Sequence, residues 1–233
     1  VTEMFSNFGF TPEIYIHGQH RDLSDKLLYM YVESGLPVVA ALSEHSHAIT
    51  IIGHLSDFSI TPPATPCASD AYLYGLVAND DNFLPYHAIR KNDPAPPSGY
   101  WSRFKVEEID TFIVPLYEKI HLSAEHVIEL SKAILTDDVL GLNVRSNLLK
   151  YENIVTRTYL TSSKSFKKTI REKPIPFGIA DVYCEMAMPK FIWVCELSTP
   201  ELYKEGNVAG EILFDATANP RDIFAFLSIH YPD

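Results

Sequence analysis

Between Tyr31 and His54 the chain leaves a helix, turns at a glycine and a proline, and enters two apolar runs in succession. This order of features constrains the fold more than any other segment. Apolar residues recur at spacings of three and four across 22–34, which predicts a helix. Gly35 is typical of the position that follows a helix, and Pro37 cannot continue one. The helix must therefore end here and deliver the chain into an extended segment.

Two aliphatic runs follow, at 38–42 and 48–52, and their continuous apolar character predicts strands covered on both faces. His47 stands at the start of the second run. A third strand-like run at 71–78 leads directly into Asn79-Asp80-Asp81-Asn82. A histidine that opens one strand and a carboxylate that ends a neighbouring strand can meet while both backbones stay paired. Such a pair can serve as a general base whose tautomer is fixed by the acid.

The spacing from the helix through Gly35-Leu-Pro37-Val-Val to His47-Ala-Ile-Thr-Ile-Ile-Gly53 resembles the second half of C39-type cysteine peptidase domains, which are papain-like. The resemblance covers about residues 23–90. It implies a papain-like antiparallel sheet with flanking helices. It also implies His47 as the general base, Asp80 as the residue that orients it, and Asp81 as the alternate. The implied reaction is hydrolysis of a peptide or other amide bond by a thiol nucleophile.

That family carries its nucleophilic cysteine and an oxyanion-hole glutamine upstream, at the start of a helix. Residues 1–31 contain no cysteine, and Gln19, the only glutamine of the chain, is not followed by one. We therefore expect the nucleophile on an upstream segment that this sequence lacks, so that this chain alone is inactive. The alternative is a pseudoenzyme, or a protein-binding module that reuses the fold.

Other interpretations of the same residues remain open. His47 could be a structural histidine at a strand start, and residues 80–82 suit an ordinary hairpin turn. Glu44 and His45, together with His47, could hold a metal ion, although their spacing fits no strong template. Cys67, which follows a proline-rich loop, could be a nucleophile in a rearranged order, and a small buried residue is the more common role for such a cysteine. His87 could line the same cleft.

The rest of the chain predicts an α+β fold. A Pro-rich linker at 93–103 would separate a papain-like half-domain (1–92) from an α+β extension (104–233) that packs on the same sheet or forms a second layer. Further strands are predicted at 84–90, 112–116, 154–160, 190–197 and 208–215, and helices at 123–134, 137–151 and from about 221.

Two groups of charges in the extension are candidates for other roles. The segment from Arg157 to Lys173 is strongly basic and could dock a phosphate or an acidic partner, although a solvated face is the more common explanation. Glu196, Glu211 and Asp215 lie in apolar strands. We expect them on the exposed side, but if buried together they would indicate a second site.

Composition limits the class of protein. The formal charge is −11 and the pI about 5.2, which disfavours binding to nucleic acid or to an anionic membrane. Three widely spaced cysteines without paired spacing are typical of a reducing cytoplasm. We expect a bacterial-type cytoplasmic protein whose partner is a peptide or protein, with no cofactor and no bound metal.

Overall fold

A computed structural model describes residues 1–20, 23–61, 66–92, 101–137, 139–144, 147, 153–173, 175, 177–219 and 225–231. The fold is α+β, and the chain forms two compact units. The first comprises residues 1–61 and 70–118, and the second comprises residues 62–69 and 119–233. The chain thus leaves the first unit after Glu118, whereas the sequence placed that boundary at 93–103. Most of the expected linker lies outside the described residues.

The first unit is built on a seven-stranded sheet in the order β1-β8-β2-β3-β5-β6-β7. All neighbouring strands are antiparallel except β6 and β7, which are parallel. Its strands are β1 (Phe10–Ile16), β2 (Val38–Leu42), β3 (His47–Ser56), β5 (Leu73–Asn79), β6 (His87–Arg90), β7 (Trp101–Lys105) and β8 (Thr111–Tyr117).

Helix α1 (Thr2–Asn7) precedes β1, and helix α2 (Ser24–Glu33) packs against β2 and β3. The predicted helix at 22–34 is therefore confirmed. Its apolar spacing works as expected, because Leu27, Leu28 and Tyr31 are all buried. Gly35 adopts a left-handed backbone with φ of 74°, a conformation that glycine reaches without steric cost. This turn directs the chain into β2.

The second unit contains a five-stranded sheet in the order β12-β11-β10-β9-β4, antiparallel except for the β4–β9 pair. Its strands are β4 (Cys67–Ala68), β9 (Val155–Ser162), β10 (Phe191–Ser198), β11 (Gly210–Asp215) and β12 (Phe226–His230). Its helices are α3 (Ala124–Thr136), α4 (Ser163–Glu172), α5 (Phe177–Glu185) and α6 (Pro200–Lys204).

The two faces of this second sheet carry different cores. Phe166 of α4 and Tyr183 of α5 pack with Val194 and Leu213 on one face. Alternate residues of β10 point to the opposite face of the sheet. On that face the buried Trp193 donates its indole N–H to the carbonyl of Leu122 at 2.8 Å. This alternation decides which strand residues lie beneath helices α4 and α5.

The predicted strands at 38–42, 48–52, 71–78, 84–90, 112–116, 154–160, 190–197 and 208–215 and the helix at 123–134 are each confirmed within a few residues. The helix predicted from about 221 begins outside the described ranges, and the chain is already in β12 at Phe226. The helix predicted at 137–151 is wrong for residues 137 and 139–143, which are not helical. Residues 144 and 147 are helical, and the others lie outside the described ranges. Within the described part of the chain, no helix combines the length and the apolar character needed to cross a membrane.

Candidate functional site

Strand register brings His47 and Asp80 to the same end and the same face of the first sheet. Ile51 of β3 pairs with Ala78 of β5 in an antiparallel ladder. Continuing this antiparallel register by two residues places Asp80 opposite Ile49. His47 is two residues from Ile49 on the same face of β3, so it lies next to Asp80. Ile49 and Ile51 are buried on this face, so the two polar side chains stand at the edge of an apolar layer.

The contact between the two side chains is close. His47 Nε2 and Asp80 Oδ2 lie 2.9 Å apart, with the Asp80 side chain fully buried and the His47 side chain 18% exposed. The distance is that of a charge-assisted pair, yet the direction of the contact falls outside the angular range of a good hydrogen bond. The pair is therefore an electrostatic contact and not a well-aligned hydrogen bond.

Asp80 is held in its ionised form. Its burial opposes ionisation, but the backbone N–H of Asn82 donates to Oδ1 at 2.9 Å and the His47 imidazole lies on the other oxygen. Together these contacts outweigh burial and keep the pKa of Asp80 below its usual value. The carboxylate is therefore fixed by its own turn, which leaves Oδ2 directed at the imidazole.

Asp81, the alternate orienting residue, is exposed and accepts a hydrogen bond from the Asn82 side chain at 3.2 Å. An open depression of about 400 Å³ lies beside the pair. It is lined by Thr50, Asn79, Asp80, Asp81, Pro85 and Tyr86. The sequence-predicted aspartates thus face a space large enough for part of a ligand.

A series of aromatic ring contacts runs from the His47 imidazole through Phe104 and Phe83 to His87. The ring of Phe104 lies 5.7 Å from that of His47 and 6.2 Å from that of Phe83. His87 stacks near Phe83 at 5.4 Å and is 1% exposed. Burial lowers the pKa of His87, against the opposing effect of Asp80. From sequence, His87 is a possible cleft residue, whereas nothing indicates Phe104. Only the tertiary fold brings Phe104, on β7, to this end of the sheet.

The metal ligands considered from sequence do not come together. Glu44 and His45 are exposed, and His45 Nε2 instead contacts Glu108 at 3.3 Å. In the described part of the chain, the donors that do cluster are those of His47, Asp80 and Asp81, whose ligand atoms all lie within 4.8 Å of one another. A cation here would have one nitrogen and two oxygen ligands.

A second histidine–carboxylate pair lies on the same strand. His54 Nε2 contacts the Glu33 carboxylate, and its Nδ1 lies 3.4 Å from the Ser56 hydroxyl. The Glu33 side chain is 7% exposed, and the His54 ring packs at a tilt against Tyr29, with the ring centroids 4.8 Å apart. This pair joins α2 to β3, and it offers a matched control for the His47 pair.

The second unit buries two glutamates where the sequence predicted exposed ones, so that expectation was wrong. Glu196 and Glu211 are 3% and 2% exposed and stand opposite each other on β10 and β11. Register extends the row through Arg157 on β9 and His230 on β12. Asp215 lies apart from them as a partly buried acceptor for Thr217.

The two glutamates have different partners. Glu196 accepts from Arg157 Nη1 at 2.8 Å and from the Tyr159 hydroxyl at 3.1 Å, and it contacts Lys173 Nζ. Glu211 contacts the Tyr183 hydroxyl and His230 Nδ1. Arg157 and Lys173, the first and last residues of the basic segment 157–173, therefore neutralise Glu196.

All three cysteines belong to the second unit, and Cys67 and Cys195 are buried. The unit that holds His47 contains no thiol. Comparisons of this chain with models of protein families, with curated proteins and with solved structures gave no match. The papain-like resemblance therefore stays a prediction, and any functional argument has to start from the geometry of the site.

Proposed function

We propose that the first unit supplies the general base of a thiol-dependent hydrolase that cleaves a peptide or related amide bond. His47 is the base in this proposal, and Asp80 orients it. The observation that carries it is the 2.9 Å approach of His47 Nε2 to a buried, ionised Asp80 beside an open depression. A papain-like arrangement of the sheet is part of the same proposal.

Because Nε2 faces Asp80, Nδ1 is the nitrogen left to accept a proton. In the proposed reaction a thiol gives its proton to Nδ1 as sulfur bonds to the acyl carbon. The proton then passes to the departing amine, and water attacks the thioester to release the acid and restore the thiol. Asp80 stabilises the imidazolium that forms in between. Asp81 is the alternate residue for this orienting role.

The nucleophile is the missing part of this scheme. Since residues 1–61 and 70–118 contain no cysteine, the thiol has to come from elsewhere in the intact protein. The same fact favours a second candidate, a non-catalytic module that binds a peptide or protein at the depression. A cytoplasmic location fits either candidate, because the three cysteines are free.

Labelling of the intact protein, as its natural source produces it, tests the proposal. Iodoacetamide at pH 6.5 reacts slowly with an ordinary thiol and rapidly with one activated by a base. We expect one fast-reacting cysteine, whose labelling slows at least about tenfold in His47→Gln and in Asp80→Asn. The matched control His54→Gln should leave its rate unchanged.

Two outcomes would contradict the general-base role. One is a fast-reacting cysteine whose rate does not depend on His47. The other is the absence of any cysteine that reacts faster than a free thiol, which would leave the binding module as the better explanation.

A further inference from the structure

We propose that His47, Asp80 and Asp81 form a binding site for a divalent transition-metal ion, and that Zn²⁺ is the ion this donor set suits. The three ligand atoms lie within 4.8 Å of one another. One imidazole nitrogen and two carboxylate oxygens are common ligands of Zn²⁺. The inference requires no thiol, so it stands apart from the proposed hydrolase.

Two buried atoms at this position lack well-formed hydrogen bonds within the described part of the chain. They are His47 Nε2 and Asp80 Oδ2, and the residue Asp80 is only 7% exposed. Buried polar atoms without an aligned partner are uncommon, because each has lost its water without a full hydrogen bond in exchange. The two atoms lie 2.9 Å apart, so a single cation could bind both at once.

The distances allow coordination with small adjustments. Bonds of about 2.0–2.2 Å in a tetrahedral site place neighbouring donors about 3.3 Å apart. His47 Nε2 and Asp80 Oδ2 are 2.9 Å apart, so they would separate by a few tenths of an ångström. Asp81 has to move inward, and its exposed side chain can do so by rotating with the Asn82 side chain that donates to it. The fourth position would open into the depression.

Neighbouring groups already orient the carboxylates, as outer-shell contacts do in metal sites. The Asn82 backbone N–H holds the other oxygen of Asp80 at 2.9 Å, and the Asn82 side chain donates to Asp81 at 3.2 Å. A single residue of the turn thus positions both acids. Mg²⁺, which prefers six oxygen ligands and retains water, is a poor match for the imidazole.

An ion on Nε2 would also change what His47 can do. The neutral imidazole that binds a metal through Nε2 carries its hydrogen on Nδ1, so Nδ1 can no longer accept a proton. Zn²⁺ bound here would therefore suppress any base activity of His47.

Calorimetric titration of the purified chain with ZnCl₂ at pH 7 tests the site directly. We expect one strong site per chain that Mg²⁺ neither fills nor displaces. Asp81→Asn should weaken the binding of Zn²⁺ at least about tenfold, and since this residue is exposed its loss should not unfold the protein. His47→Gln should weaken binding further. The control Glu44→Gln removes another exposed acid close in sequence and should change nothing.

Substitution with Co²⁺ identifies the donor atoms. Nitrogen and oxygen ligands give visible d–d absorption alone, whereas a cysteine ligand adds an intense near-ultraviolet band. A thiolate band, an Asp81→Asn variant that binds Zn²⁺ as the parent does, or an equal loss in Glu44→Gln would each overturn the assignment. None of these outcomes bears on thiol labelling, so the two proposals fail separately.

Discussion

Replacing Glu196 by glutamine removes a buried negative charge while keeping the size of the side chain. Arg157 Nη1 lies 2.8 Å from Glu196, and Lys173 Nζ contacts the other oxygen. At 2.8 Å the attraction between Arg157 and Glu196 is worth about 1.5 kcal/mol even with the screening of bulk water. The contact of Lys173 with Glu196 contributes a similar amount. Glu211 stands directly opposite, so the substitution also relieves a carboxylate repulsion of about 0.7 kcal/mol. We expect Glu196→Gln to lower the free energy of unfolding by about 2–4 kcal/mol.

The matched control is Glu211→Gln, which changes an equally buried glutamate in the neighbouring strand. Its partners are the Tyr183 hydroxyl and His230 Nδ1, whereas Glu196 meets a guanidinium and an ammonium group. The control therefore separates no Arg or Lys side chain from its carboxylate, and the relieved repulsion offsets the weakened hydrogen bonds. We expect a change below about 1 kcal/mol.

Urea unfolding at pH 8 measures both variants. In a Trp101→Phe background the remaining tryptophan, the buried Trp193, reports on the second unit. The reasoning is refuted if the two variants lose the same free energy, or if Glu196→Gln loses less than about 1 kcal/mol. A loss that small would mean that solvent near the partly exposed Arg157, at 32%, screens the pair almost completely.

Two further predictions concern the first unit. The Ser43 backbone N–H donates to Asp110 at 3.0 Å, and although burial opposes ionisation, this contact keeps the pKa of Asp110 below its usual value. A carboxyl whose pKa is lower in the folded protein stabilises that protein at any pH above its unfolded-state pKa of about 3.9. This stabilisation is lost as pH falls through the folded-state pKa. Asp110→Asn should therefore lower the urea midpoint at pH 7, with a loss of about 1 kcal/mol. The difference should close as pH falls through the lowered folded-state pKa of Asp110, and a gap that persists in acid contradicts the pairing. Gly75→Ala places its Cβ 2.5 Å from the carbonyl oxygen of Ile89, so β5 and β6 must separate at a cost of about 1–3 kcal/mol by thermal or urea unfolding. Gly53→Ala, whose Cβ meets only a side chain at 3.5 Å, should cost less, and equal losses would refute the steric argument.

The segment around the site follows closely from local sequence. Helix α2 ends where Gly35 and Pro37 predict, and β2 and β3 begin at Val38 and His47. These features were predictable because each depends on neighbours within a few residues: apolar spacing, a left-handed glycine and aliphatic runs. A histidine at the start of one strand and an aspartate at the end of a neighbouring strand were also enough to suggest that His47 and Asp80 meet.

Contacts between distant strands were not predictable in this way. The sequence placed a domain boundary in the proline-rich segment, but β8 returns after it to pair with β1 and β2 inside the first sheet. That pairing depends on surfaces more than fifty residues apart, which no local pattern encodes. The same reason hid the role of Phe104 beside His47.

Sequence by itself determined the α+β class, most strand positions and the candidate pair His47 and Asp80, because side-chain period and turn chemistry act locally. Tertiary structure alone decided which polar residues are buried. Glu196 alternates with apolar neighbours like an exposed strand residue, yet helices α4 and α5 cover that face and bring Lys173 onto it. Burial depends on what packs over a strand, and a carboxylate tolerates it only when distant cations meet it there.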